Sequence, residues 1–289
     1  HRVAQAARRR DTSLRVVSVP KTIDNDLPHT HHSPGFGSAA RFLASVTADT
    51  GMETEAMRTV EPVKVIEAMG RNAGWLACAS ALAKRSERDA PQLVWPPEAP
   101  FDEAKLISLV GRRLDRLGYC VLVIGETVRD GKGHPIGAAN GKMERDAFGH
   151  PRVTGAAQTA CEIIADRFGV RARWDKPGTI QRMSSAHFSP TDLREARQCG
   201  RWAVRFVLQG RTDCMVVMRN MARAGYRIGY GTVPIEKVAN REKLLPASCF
   251  NRDRMLPTAA FRRYALPLVG DGLPQHARLS GRKVRSRRR

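Results

Sequence analysis

The feature that most constrains the fold is an apolar run from Tyr119 to Gly125, which contains no charged side chain. A near-continuous run of this kind is typical of a β-strand that is covered on both faces. A second such run spans Cys214 to Met218. Because a strand buried on both faces needs helices on either side, these runs predict a layered α/β fold.

Helical segments alternate with the predicted strands. Asp102 is expected to cap the start of one helix, and Gly118 its end. Ser189 followed by Pro190 predicts the start of another, and its apolar residues include Leu193, Ala196, Val204, Val207 and Leu208. Further strands are predicted at 16–19, 62–69 and 92–95, and further helices at 35–57, 75–84 and 155–168. This alternation indicates mostly parallel sheets.

The composition is that of a globular protein, with 42% hydrophobic and 27% charged residues. It excludes a disordered chain and a disulfide scaffold. The longest apolar stretches, at 75–83 and 119–124, are far shorter than the roughly 20 residues that a membrane span needs. The six cysteines form no close pair, which predicts buried, reduced thiols in a cytoplasmic protein.

The net charge of +21 includes clusters of basic residues at both ends of the chain. The basic ends can contact nucleic acid or another polyanion, or they can be solvated tails. A moderately basic body suits a small anionic substrate equally well. Aromatic residues make up only 6% and are scattered, which argues against a nucleic-acid partner.

Polar residues follow the first predicted strand, where ligands of open parallel sheets bind. Lys21, Thr22, Asp24 and Asp26 lie within six residues of each other. One carboxylate can take a proton from an attacking hydroxyl while another helps to hold Mg²⁺. The same pattern also suits a polar turn whose side chains cap their own backbone. The spacing alone supports the two interpretations evenly.

Three later positions have the same ambiguity. The turn at 70–74 contains Arg71 and opens a helix, as an anion site or a packing turn does. Glu126 can hold sugar hydroxyls or be a surface charge. Arg173 and Arg182 lie on either side of a Pro-Gly turn. The two guanidinium groups can bind a phosphate, or the segment can be a solvated basic loop. The histidines at 29, 31 and 32 lack further ligands at metal spacing, which favours a polar loop.

Together these segments resemble the phosphofructokinase family. The matching residues are Pro20-Lys-Thr-Ile-Asp-Asn-Asp26, Gly35-Phe-Gly-Ser-Ala-Ala40, Met69-Gly-Arg-Asn-Ala-Gly-Trp-Leu-Ala77, Pro97-Glu-Ala-Pro-Phe101, Glu126 and Gly178-Thr-Ile-Gln-Arg182. These motifs occur in the family's order and spacing. The resemblance covers nearly all of residues 11–270. The resemblance implies transfer of a phosphoryl group to the 1-hydroxyl of fructose 6-phosphate, a step of glycolysis.

The resemblance also implies a role for each matching residue. Asp24 matches the general base, and Thr22 lies beside the transferred phosphoryl group. Asp26 matches a carboxylate near Mg²⁺, which it contacts indirectly. The sugar phosphate is contacted by Met69, Gly70, Arg71, Glu126 and Arg182, with Arg71 also near the transferring phosphate. Arg182 matches a ligand of the 6-phosphate, and Arg173 matches a second one that reaches in from a neighbouring subunit, which implies a homodimer or homotetramer.

Lys21 bears on the phosphoryl donor. Family members that use pyrophosphate typically have lysine at this position, where ATP users typically have glycine. Pyrophosphate lacks adenosine contacts, so a local cation must compensate. The resemblance therefore favours pyrophosphate over ATP. An ATP-dependent 6-phosphofructokinase and a non-catalytic regulatory remnant that lacks the donor loop remain as alternatives.

The resemblance further implies two Rossmann-like lobes, the first of them incomplete at its N-terminus. Residues 1–35 and 181–231 are assigned to a remnant of the donor-phosphate lobe. Residues 36–180 and 232–270 are assigned to the sugar-phosphate lobe, and 271–289 to a basic tail. Since the family's first strands have no counterpart here, we expect the sequence to be an N-terminally truncated member that is inactive or poorly folded alone.

Overall fold

The computed structural model describes residues 1–10, 12–137, 144–145, 151–152 and 155–278. The helices are α1 (Arg2–Arg9), α2 (Phe36–Ala56), α3 (Trp75–Ala79), α4 (Glu103–Leu117), α5 (Ala156–Phe168), α6 (Pro190–Leu208) and α7 (Ala259–Val269). The strands are β1 (Val17–Ser18), β2 (Val63–Ala68), β3 (Leu93–Trp95), β4 (Cys120–Gly125), β5 (Glu144–Arg145), β6 (Pro151–Arg152), β7 (Ala172–Asp175), β8 (Cys214–Asn220), β9 (Ile228–Pro234), β10 (Phe250–Asn251) and β11 (Leu256–Pro257).

The larger sheet has four parallel strands in the order β3-β4-β2-β7. All six residues of β4 are buried, as the apolar run predicts. Val121 and Val123 pack in one core with α2, α3 and α7, whereas Leu122 and Ile124 pack in a second core with α4 and α5. Successive side chains of a strand point to opposite faces, so helices cover the sheet on both sides. The predicted α/β fold is confirmed.

The second sheet has three strands in the order β1-β8-β9. β1 runs parallel to β8, whereas β9 runs antiparallel to it. The expectation of mostly parallel sheets therefore holds for the four-stranded sheet but not for this one. Helix α6 packs on it through a small core that includes Phe206 and Val216. The predicted boundary at residue 231 falls inside β9.

The predicted helix signals act as caps. The Asp102 side chain accepts a hydrogen bond from the Lys105 N–H at 2.9 Å, and Gly118 ends α4 with φ of 79°. Ser189 caps α6 with Pro190 in its first turn. The six cysteines are all buried and unpaired. Among the described residues, no helix combines the length and the apolar character that crossing a bilayer requires.

The apolar residues noted along α6 do not form its buried face. Val204 is 61% exposed and Leu208 76% exposed. The buried face carries Asp192 and Glu195 near the start of the helix, followed by the apolar residues Cys199, Ala203 and Phe206. Asp192 accepts hydrogen bonds from the N–H groups of Gly35 and Ser38 at 2.8 and 3.0 Å, at the start of α2. The buried positions recur every three or four residues, so the helical period holds, but two of them are carboxylates that an apolar pattern does not reveal.

The segment around Arg173, expected as a loop, is the edge strand β7, which pairs with β2 alone. The basic end of the chain also differs from a solvated tail as far as it is described. His276 pairs with Asp49 at 3.0 Å. Arg278 pairs with Asp89 at 3.2 Å and also with Glu55. Residues up to Arg278 are therefore anchored to the body, and 279–289 lie outside the described residues.

Candidate active site

The carboxyl group of Asp24 lies where the loop after β1 meets the carboxyl end of the four-stranded sheet. The Asp24 N–H donates to Thr22 Oγ1 at 3.1 Å, which holds the side chain of Thr22 within the same turn. The pKa of Asp24 is raised from 3.8 to about 7, chiefly by burial and then by the nearby carboxylates of Asp26 and Glu126. Arg71 and Lys21 oppose this increase. Side chains from three separate loops thus act on one carboxyl group.

Arg71 lies on a tight turn after β2. Gly70 has φ of 142°, and a Cβ there would lie 2.6 Å from the Ala73 carbonyl oxygen, so the turn requires glycine. Arg71 itself has φ of 46°, in the left-handed region. Backbone strain of this kind is held by surrounding contacts. Here the hydroxyl of Thr127 donates to the Arg71 carbonyl.

Glu126 follows β4, the neighbouring strand, and faces the same turn. Its Oε1 accepts hydrogen bonds from the N–H groups of Gly70 and Arg71 at 3.3 and 3.2 Å. Burial raises the pKa of Glu126, and Glu67 raises it further, while the two N–H donors oppose the change. Glu126 therefore orients the backbone that carries Arg71, in addition to the sugar contact expected of it.

Lys21 and Arg182 line a cavity of about 220 Å³ beside the Asp24 loop. Gln181, next to Arg182, also lines it and is 2% exposed. Its Oε1 accepts a hydrogen bond from the Met69 N–H at 3.2 Å, which links the Arg182 segment to the turn that carries Arg71. Gln181 lies within the motif at 178–182, but its residue type and position in the sequence do not indicate this contact.

Arg173 lies apart from this group in the described chain. It is opposite Lys64 in the register of β7 with β2, before the carboxyl end of the sheet. Its guanidinium pairs with Glu61. The structure therefore brings together Lys21, Thr22, Asp24, Met69, Gly70, Arg71, Glu126 and Arg182, but not Arg173.

The described residues do not form a metal site of their own. No group of three or more His, Cys, Asp or Glu side chains in the described ranges could hold a metal ion. The backbone carbonyl of Asp26 accepts a hydrogen bond from Lys243 N–H at 2.6 Å, and its carboxylate raises the pKa of Asp24. These carboxylates favour a nearby cation electrostatically, but they do not provide a complete set of ligands.

The histidines after Asp26 belong to a buried hydrogen-bond network. His32 Nε2 lies 2.8 Å from Glu195 Oε2, and both side chains are buried. His31 Nδ1 lies 3.0 Å from His32 Nδ1, and burial lowers the pKa of His31 to about 4. These contacts connect the end of the Asp24 loop to α6.

Comparison with known proteins gives concordant matches. A family model described as "Phosphofructokinase" matches residues 1–207. The pyrophosphate–fructose 6-phosphate 1-phosphotransferase of Xanthomonas campestris is 36% identical over 288 residues, which cover 96% of this chain and 68% of that protein. The corresponding protein of Halomonas elongata is 35% identical over 292 residues, with 98% and 69% covered.

A solved structure shows the same fold. The crystal structure of pyrophosphate-dependent phosphofructokinase from Marinobacter aquaeolei matches with a TM-score of 0.82 and 29% identity. The match covers 96% of this chain and 66% of that one. The chain thus spans about two thirds of the length of these three proteins.

Proposed function

Because the chain belongs to the phosphofructokinase family, we propose that it transfers a phosphoryl group from pyrophosphate to the 1-hydroxyl of fructose 6-phosphate. The products are fructose 1,6-bisphosphate and inorganic phosphate, a reaction of glycolysis. The observation that carries the proposal is the convergence of Asp24 and Lys21, from the loop after β1, with Arg71, from the turn after β2; the pKa of Asp24 there is about 7. The names of the similar proteins support the choice of substrates.

In the proposed mechanism Asp24 is the general base. Its carboxylate takes the proton from the 1-hydroxyl, whose oxygen attacks the terminal phosphorus of pyrophosphate. The bridging P–O bond breaks, and its electron pair leaves with inorganic phosphate. A base with a pKa near the working pH is partly ionised and still basic enough to accept the proton.

Cationic groups stabilise the charge that this transfer develops. Arg71 contacts the transferring phosphoryl group, with Thr22 beside it, and Lys21 neutralises the oxygens of the donor. Arg182 holds the 6-phosphate, while Met69, Gly70 and Glu126 contact the sugar. Lys21 is suited to a donor that has no nucleoside, because such a donor is bound through charge alone.

Mg²⁺ accompanies the donor in this proposal and neutralises part of its charge. Asp26 would contact the ion indirectly, and the described carboxylates form no metal site of three or more ligands. No step above depends on a metal ligand of the chain.

The proposal includes two lobes and an oligomer. The donor-phosphate lobe comprises residues 1–35 and 181–231, and the sugar-phosphate lobe comprises 36–180 and 232–270. Arg173 lies on the edge strand β7, and Trp174 beside it is 42% exposed. The exposed position of this edge strand supports the proposal that a second subunit docks there and that Arg173 reaches into its site. A sedimentation measurement that found only monomers would contradict this part.

Product analysis tests the proposed reaction. A version of the protein that includes the family's first strands is incubated with fructose 6-phosphate, pyrophosphate and Mg²⁺, and the products are followed by ³¹P NMR. We expect fructose 1,6-bisphosphate and inorganic phosphate in equal amounts. The Asp24→Asn variant is the negative control. Hydrolysis of pyrophosphate without a new sugar phosphate would refute the transfer.

A further inference from the structure

One short segment between β9 and α7, residues 242–245, contacts both loops of the candidate active site. We call it the connecting segment. The Lys243 N–H donates to the carbonyl oxygen of Asp26 at 2.6 Å. The Lys243 side chain reaches further along the same loop, where Nζ donates to the carbonyls of Thr30 and His31 at 3.2 and 3.0 Å. The connecting segment therefore holds the loop that carries Asp24.

The same segment holds the turn that carries Arg71. The Asn72 side-chain amide donates to Glu242 Oε1 at 3.0 Å, and Trp75 Nε1 donates to the Lys243 carbonyl at 2.9 Å. Glu98 adds a further link, since its Oε1 accepts from the N–H groups of Leu245 and Gly74 at 2.8 and 3.0 Å. These three contacts reach both ends of the turn after Arg71.

The half-buried side chain of Lys243 is the centre of this arrangement. Its Nζ lies 5.1 Å from the centre of the Trp75 ring and 3.4 Å from Asn25 Oδ1. Burial lowers the pKa of Lys243 to about 8, while the carboxylate of Asp26 favours its charged form. A cation removed from water costs free energy unless it is compensated. The acceptors that the structure gives for Nζ are carbonyl and amide oxygens of the Asp24 loop.

Asn25, between the two carboxylates of the loop, has its own fixed position. It is 0% exposed and has φ of 59°. Its Nδ2 donates to the Tyr264 hydroxyl at 2.7 Å, and this hydroxyl donates to the His31 carbonyl at 2.7 Å. Lys243 Nζ thus joins a network that already restrains the residue next to Asp24.

We propose that Lys243 is a positioning residue, which holds the Asp24 loop and the Arg71 turn at the separation that phosphoryl transfer requires. The inference rests on the proposed function, in which Asp24 acts on the acceptor hydroxyl and Arg71 on the transferring group. Lys243 acts through the two loops and touches neither reactant. A displacement of about 1 Å between reacting groups can cost roughly a hundredfold in rate.

Lys243→Met is the main test, because methionine retains most of the stem beside Trp75 and the backbone contacts but removes the ammonium. We expect kcat to fall at least tenfold, with the KM for fructose 6-phosphate changed less than threefold. Lys237→Met is the matched control, since Lys237 is an exposed lysine on the same connection between β9 and α7. It should leave kcat and KM unchanged.

Hydrogen–deuterium exchange supplies a readout that does not depend on the reaction. In Lys243→Met, peptides covering 22–27 and 69–75 should both exchange at least tenfold faster, while peptides of β4 should not change. Asn72→Ala, on the exposed turn, is a second variant that retains the buried network. It should speed exchange in 69–75 and lower kcat severalfold.

The outcomes separate this inference from the proposed function. Normal exchange in both loops of a folded Lys243→Met protein would overturn the positioning role, even if the wild type is active. If Lys243→Met does not fold, unchanged exchange and kcat in Asn72→Ala would overturn it instead. Faster exchange in both loops would support it even if fructose 6-phosphate is not a substrate.

Discussion

Replacing Asp24 with asparagine should stabilise the fold while it removes catalysis. The folded-state pKa of Asp24 is about 7, compared with an ordinary value of 3.8. The difference of about three units corresponds to about 4 kcal/mol at most, at roughly 1.4 kcal/mol for each unit. Burial is the main cause, since an ionised carboxylate loses hydration that asparagine does not need.

The pH dependence of the effect has a definite sign. Below about pH 4 Asp24 is protonated in both folded and unfolded chains, so it contributes no pH-dependent difference. Between pH 4 and 7 the unfolded chain has lost the proton that the folded chain retains. The wild type therefore loses stability as the pH rises through this window, and the variant does not. The stability gain of Asp24→Asn should grow from pH 4 to 7 and then level off.

Urea unfolding of both proteins at several pH values between 4 and 8 measures this gain. Asp115→Asn, at an exposed position of α4, is the matched control with which the difference is compared at each pH. In Asp24→Asn, kcat should fall by roughly 10²- to 10⁴-fold, the usual cost of removing a general base. A stability difference that stays flat with pH would refute the assignment of a raised pKa to Asp24.

Two further substitutions test the site, and two changes near the end of the chain test its anchoring. Arg182→Ala should raise the KM for fructose 6-phosphate at least tenfold and reduce the preference for fructose 6-phosphate over fructose. Arg219→Ala, at an exposed position of β8, should change neither quantity. An unchanged preference for the phosphorylated sugar in Arg182→Ala would contradict this prediction. Gly70→Ala should lower kcat strongly, because its Cβ would meet the carbonyl of Ala73 at 2.6 Å, and a variant with normal turnover would show that the turn tolerates a side chain. Arg278→Ala should lower Tm by several degrees in a thermal scan, because its ion pairs with two carboxylates are lost. Deletion of 279–289 should leave Tm and activity unchanged. A larger loss of Tm from the deletion than from Arg278→Ala would show that the anchoring contacts lie beyond Arg278.

The fold could be predicted where the sequence of a single strand indicates how both of its faces are packed. The apolar run around β4 needs helices on both faces, and the structure has them. Strand β7 was missed because it lies at the sheet edge and carries Arg173, Trp174 and Asp175, which are largely exposed. An edge strand pairs on one side only and does not need a continuous apolar sequence.

The candidate site was predictable in part for a similar reason. Arg71 and Glu126 follow neighbouring parallel strands, so the rule that ligands bind at carboxyl ends places them together. Asp24 follows a strand of the other sheet, and only the family resemblance linked it to them. Lys243 gave no sequence signal, because its role depends on carbonyl groups that meet it only in the folded chain.

Steady-state kinetics of fructose 6-phosphate phosphorylation tests the proposed reaction and its donor together. The rates with pyrophosphate and with ATP are compared at matched Mg²⁺, in a version of the protein that includes the family's first strands. We expect kcat/KM for pyrophosphate to be far higher than for ATP. Lys21→Gly should reduce pyrophosphate use at least tenfold, the effect of losing one charge-assisted contact of about 2 kcal/mol, without creating good ATP use. Equal or better kcat/KM for ATP would contradict the assignment of pyrophosphate as the donor, and no turnover with either donor would contradict the proposed reaction itself.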